Sequence, residues 1–218
     1  MDRDDVQRLL FVCFPDAGEA AGRYRAWRDP RIAVQVVELP GRGDRRDEHP
    51  YRDMWLLVEA LAGELAGALE SPHVLFGAGL GALVAYRLAQ RRVAAGLGVP
   101  RALVVAHQAP PSRAARAVPE QAGRADVSLL ASDAHLPVAP PLPSPIRGFG
   151  EPHVMTGWGE HTSSGFVLTP ARAQDSAALL RDAVLRSAHL ISAMAVQPPA
   201  PGPAPAPGPA PAPKLAGA

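Results

Sequence analysis

The sequence has almost no cysteine. Its single thiol, Cys13, lies within the apolar run 9–14. That excludes an internal disulfide and reads as a small core residue in a reducing compartment. Charge of one sign is also missing. The 22 Lys and Arg against 21 Asp and Glu leave a net +1, spread along the chain, so no nucleic-acid footprint is expected. No apolar stretch approaches the roughly 20 residues of a membrane helix. The polar, acidic opening Met1-Asp2-Arg3-Asp4-Asp5 is unlike a secretory signal. The expectation is a soluble cytoplasmic protein with no membrane contact. The histidines lack metal-ligand spacing and one cysteine builds no zinc motif, so no metal or cofactor is expected.

What is present is an alternation of strand-like and helical patterns. Strands are expected at 9–14, 32–39, 73–77 and 102–107, with weaker ones at 145–149 and 165–169. Helices are expected at 53–69 (with Asp53 as N-cap), 80–95 and 175–194, and a short helical hint lies at 126–131. This order predicts an α/β domain with a mostly parallel sheet covered by helices. Its expected extent is 1–196, with a shortened, Pro-rich lid over 108–144. Residues 197–218 repeat Pro, Ala and Gly and are expected to be a disordered, extended tail.

The most telling stretch is 74–88. It reads as a buried strand, a tight turn Gly77-Ala78-Gly79-Leu80-Gly81, then a helix. This is the frame of the G-x-S-x-G nucleophile elbow. The serine slot holds Gly79.

Four segments together resemble the type II thioesterases of polyketide and nonribosomal-peptide assembly lines. They are Cys13-Phe14-Pro15-Asp16-Ala17-Gly18, Val37-Glu38-Leu39-Pro40-Gly41-Arg42-Gly43-Asp44-Arg45, the elbow itself, and Trp158 with Glu160-His161-Thr162 and Gly165-Phe166. The resemblance implies an α/β-hydrolase fold. It also implies an acyl substrate, or a polyketide or peptide intermediate on the phosphopantetheine arm of a carrier protein. The family's two oxyanion donors would correspond to the Leu80 and Ala17 N–H groups, with Phe14 and Gly79 beside the substrate. The family histidine would fall at Ala173, and Glu151 would stand nearest to the acid. Two of the three triad positions are therefore empty, and no catalytic residue is secure.

Three expectations follow. The first is binding of acyl or carrier-bound intermediates without hydrolysis. The second is a repurposed cyclase, dehydratase or isomerase that draws acid–base groups from Asp16, His107 and Glu151; residual thioester hydrolysis is a further alternative. The third is a pure interaction protein working through its tail. His161 and the Trp158–Phe166 stretch read as structural.

Overall fold

The computed structural model describes residues 8–16, 19, 21–114, 123–172, 181–182 and 184–186. Strand β1 (Leu9–Phe14) enters the centre of the sheet, and a one-turn helix α1 (Gly22–Arg25) leads to β2 (Ile32–Val36) at one edge. Helix α2 (Met54–Glu64), β3 (His73–Ala78), helix α3 (Leu80–Ala94) and β4 (Ala102–Ala106) follow. A single turn α4 (Pro111–Ala114), helix α5 (Arg124–Asp133), β5 (Ile146–Gly150), a single turn α6 (Pro152–Met155) and β6 (Phe166–Pro170) complete the described elements. The six strands are all parallel, in the order β2-β1-β3-β4-β5-β6. The chain therefore reverses its direction of travel across the sheet between β1 and β3. In open α/β sheets, ligands bind at such a switch, outside the carboxyl ends of the strands.

Buried strands explain the near-continuous apolar runs, and strand alternation sorts them onto two faces. Val12, Phe14, Leu75, Leu103 and Val105 pack under α2 and α3 with Leu57, Leu61, Leu83 and Leu88. Phe11, Cys13, Val74, Phe76 and Val104 face the other side, with Tyr24, Trp27 and Val184. Tyr24, Trp27 and Phe76 stack edge-on there, with centroids 5.2–5.4 Å apart.

The boundaries differ from the sequence reading in three places. The strand expected at 32–39 stops at Val36, where its ladder with β1 ends. The helix expected at 53–69 stops at Glu64, and a 3₁₀ turn covers Ala68–Glu70. Gly63 and Gly67 flank that break, and each glycine costs about 1 kcal/mol in a helix. The short hint at 126–131 is a full helix, Arg124–Asp133, started by the Asp126 carboxylate accepting from Gly123 N–H at 3.1 Å. Asp53 does cap α2, accepting from Leu56 N–H at 2.9 Å.

Part of the expected lid is thus a helix docked on α2. Ser132 Oγ accepts from Met54 N–H at 2.7 Å. Arg87 of α3 reaches Asp133 at 2.6 Å, with the acid 1% exposed. The expected closing helix, 175–194, falls largely outside the described residues; 181–182 and 184–186 are helical. The expected tail, 197–218, lies wholly outside them. Among the described residues, no helix is long and apolar enough to cross a membrane, and no cluster of His, Cys, Asp or Glu is arranged to hold a metal.

Candidate functional site

The elbow forms as its glycines dictate. Gly79 N–H donates to Ala106 O at 2.9 Å, tying the turn to the end of β4. Gly79 holds φ 50°, ψ −129°, a conformation that side-chain-bearing residues adopt only under strain. Gly77 and Gly81 allow close approach. A Cβ on Gly81 would run into Phe14 O, and one on Gly77 into Gly81 O.

The serine slot is not empty space. A Cβ built on Gly79 would stand well under 3.0 Å from Oδ1, Cγ and Oδ2 of Asp16. Asp16 Oδ1 also accepts from Leu80 N–H at 2.9 Å. That N–H is the first of α3 and lacks a helical partner. It is the donor expected to face a substrate oxygen. An anion at a helix N-terminus is favoured by the dipole, and its hydrogen bond is charge-assisted. Gly79, expected beside the substrate, has the Asp16 carboxylate beside it instead, filling the room a side chain would take.

Asp16 is held by its own loop. Glu19 N–H donates to Asp16 O at 3.1 Å, and Asp16 N–H to Glu19 Oε2 at 3.4 Å. Glu19 also takes Arg23 and the Tyr24 hydroxyl. Burial pushes the Tyr24 phenol upward, and the Glu19 carboxylate adds to that rise. The Arg42 guanidinium lies within electrostatic reach of Asp16. Burial holds Arg42 below its ordinary value, and Asp16 partly offsets the effect. Arg42 forms its ion pair with Asp126 of α5.

Between the 39–43 loop and α5 lies a cavity of about 570 Å³. Leu39, Leu57 and Leu129 give it an apolar floor, and Glu19, Arg42 and Asp126 carry its charges. A space of that size suits a small ligand. Nothing local in the sequence pointed to it: Arg42 and Asp126 are 84 residues apart.

The other predicted residues are spread along the carboxyl edge of the sheet. His107 follows β4 with φ 53°, a left-handed conformation rare for histidine, and its N–H donates to Phe149 O at 2.8 Å. Glu151 follows β5, two strands from the elbow, or about 10 Å at the usual strand spacing. Its carboxylate lies 3.5 Å from His153 Nδ1. Glu151, His153, Pro170, Ala171 and Arg172 line a separate cleft of about 490 Å³. Arg172, one residue before the expected histidine position, lines the same cleft as Glu151. The imidazole in this cleft is that of His153, a largely exposed side chain. Ala173 and Ala17 lie outside the described residues. Phe14, expected beside the substrate, is instead fully buried in the core. His161 packs against Tyr86 and Trp158 and bonds the Tyr86 hydroxyl at 2.9 Å, a structural placement.

The thioesterase domain family model matches residues 10–138, more than half of the chain. The chain belongs to the thioesterase domain family. This thioesterase domain is 30% identical to RedJ, solved with a PEG molecule in its active site, over 88% of this chain and 92% of that one, with a TM-score of 0.68. RedJ is the thioesterase of the prodiginine pathway in Streptomyces coelicolor. The type II thioesterase BorB of the borrelidin cluster is 25% identical, covering 87% of this chain and 92% of its own, with a TM-score of 0.63. A probable cadicidin biosynthesis thioesterase from Streptomyces griseus is 36% identical over 111 residues, which is 50% of this chain and 30% of that protein. The chain spans about a third or less of the length of the curated relatives it matches. The resemblance to type II thioesterases and the parallel-sheet fold both stand.

Proposed function

We propose that this protein is a non-hydrolytic thioesterase-fold binder of acyl or carrier-bound intermediates in polyketide or nonribosomal-peptide synthesis. The observation that carries this reading is the occupied elbow. Gly79 offers no nucleophile, and the Leu80 N–H that stabilises an oxyanion in acyl transfer already serves Asp16. The 570 Å³ cavity beside Arg42 supplies an apolar floor for an acyl chain. The pathway names of RedJ, BorB and the cadicidin thioesterase support the partner class.

The test titrates acyl-loaded carrier proteins against the protein, following complex formation by native mass spectrometry and acid release by chromatography. A saturable complex with release at the buffer rate is expected. Release far above buffer that survives repurification overturns the reading.

The left-handed His107 favours a second reading, because backbone strain collects at functional sites. In it, Asp16 and His107 perform acid–base chemistry on a bound intermediate, without Glu151, which lines the separate cleft beside Pro170. Product formation that His107→Ala abolishes, with binding retained, would select this reading over the first.

A further inference from the structure

The cavity between the 39–43 loop and α5 holds polar groups of two kinds, and they are differently occupied. Its carboxylates are in use. Glu19 accepts from Arg23, from the Tyr24 hydroxyl and from Asp16 N–H. Asp126 accepts from Arg42 and from Gly123 N–H. Its donors are largely not in use. Arg124 lines the cavity, and its side chain makes no ion pair or hydrogen bond among the described residues. Tyr51 also lines it, half-buried against the core, and its hydroxyl has no partner among the described residues. Arg42 gives Asp126 a single nitrogen, which leaves the other N–H groups of its fork available. Arg124 stands in the first turn of α5, where the helix dipole favours an anion and disfavours a cation. The acid of that turn, Asp126, is taken by Arg42.

We propose that this cavity selects acyl chains that carry a carboxylate, with the chain on the leucine floor and the carboxylate held by Arg124, Tyr51 and the remaining donors of Arg42. The reason is polarity. The cavity offers donors, so the ligand must bring acceptors. A guanidinium fork matches the two oxygens of a carboxylate and makes charge-assisted bonds to it, and the phenol adds a further donor. An ammonium end brings only donors and meets the like charge of Arg124. A hydroxyl end accepts without charge. Asp16 acts on Arg42 from a distance, which leaves Arg124 as the cation that no acid of the cavity offsets. A chain joined to its carrier by a thioester at one end can present a carboxylate at the other. The proposal rests on the binding role above and narrows its substrates to acyl groups with a carboxylate at the far end.

The experiment compares octanoate, octanol and octylamine, which share one alkyl chain, by calorimetry on the full-length protein. A carrier protein loaded with a suberyl or an octanoyl group extends the comparison to thioesters. Octanoate is expected to bind at least about tenfold tighter than either other probe, and the suberyl carrier tighter than the octanoyl carrier by a similar factor. Arg124 is exposed, so Arg124→Gln should melt like the parent and lose the octanoate advantage. Arg124→Glu should invert the order in favour of octylamine. Tyr51→Phe should weaken octanoate by about threefold or more. Octylamine or octanol equalling octanoate, no octanoate binding up to millimolar concentration, equal binding of the two loaded carriers, or an octanoate advantage unchanged in Arg124→Gln overturns the proposal. The probe preference intact without carrier binding would support the site and remove the assembly-line partner alone.

Discussion

Gly79→Ala is the sharpest probe of the elbow, because its cost divides into two parts that a second substitution separates. Residue 79 sits at φ 50°, ψ −129°, and a side-chain-bearing residue held in such a region costs about 1–3 kcal/mol. The new Cβ must also displace the Asp16 carboxylate, which stands inside any allowed contact distance. That breaks the charge-assisted bond to Leu80 N–H, worth about 1.5–3 kcal/mol. The sum is about 2.5–6 kcal/mol. At about 2–4 °C per kcal/mol for a chain of this size, Tm should fall by roughly 10 °C. In an Asp16→Ala background only the backbone part remains. The same glycine replacement should then cost about 1.5–3 kcal/mol less. Thermal melts of the parent, both single variants and the double variant close the cycle. Equal cost in both backgrounds, within about 0.5 kcal/mol, would refute the claim that Asp16 fills the nucleophile slot.

Asp133→Ala should destabilise the fold by about 3–5 kcal/mol, because it strands the nearly buried Arg87 and unpins α5 from α3; denaturant midpoints report the loss. His73 and His161 both titrate below the usual histidine range, since burial disfavours the imidazolium and Arg92 and Arg87 respectively repel it. The unfolded chain therefore takes up protons first as pH falls through about 6.5, so the stability these groups contribute is complete above about pH 6.5 and is lost towards their lower folded values. The urea midpoint should drop between about pH 7 and pH 5, and His73→Gln with His161→Gln should shrink that drop; an unchanged drop would count against the assignment. Burial pushes the Cys13 thiol far up, so iodoacetamide should label it only after unfolding, and labelling of the native protein would show that the strand opens.

The elbow was legible in the sequence because each of its glycines marks a steric demand that only glycine meets. The strand before it and the helix after it fall within a residue of their expected bounds. Strand parity was equally available and was overlooked at Phe14. It shares its face with Val12, under the helices, so its ring joins the core although its neighbour Asp16 reaches the site. The contact from Asp16 to Leu80, 64 residues apart, was not legible. It exists because β1 and β3 pair in parallel and bring their ends together, and no local pattern encodes which side chain then turns into the slot. The Arg42–Asp126 pair, and with it the cavity, was hidden for the same reason.

The central claim is that the elbow keeps its frame but presents a carboxylate in place of a nucleophile. Intact-mass spectrometry after exposure to a fluorophosphonate, and separately to an acyl thioester, tests it most directly. The account predicts an unchanged mass with both reagents. A stoichiometric adduct on any hydroxyl or thiol of the folded protein would contradict it.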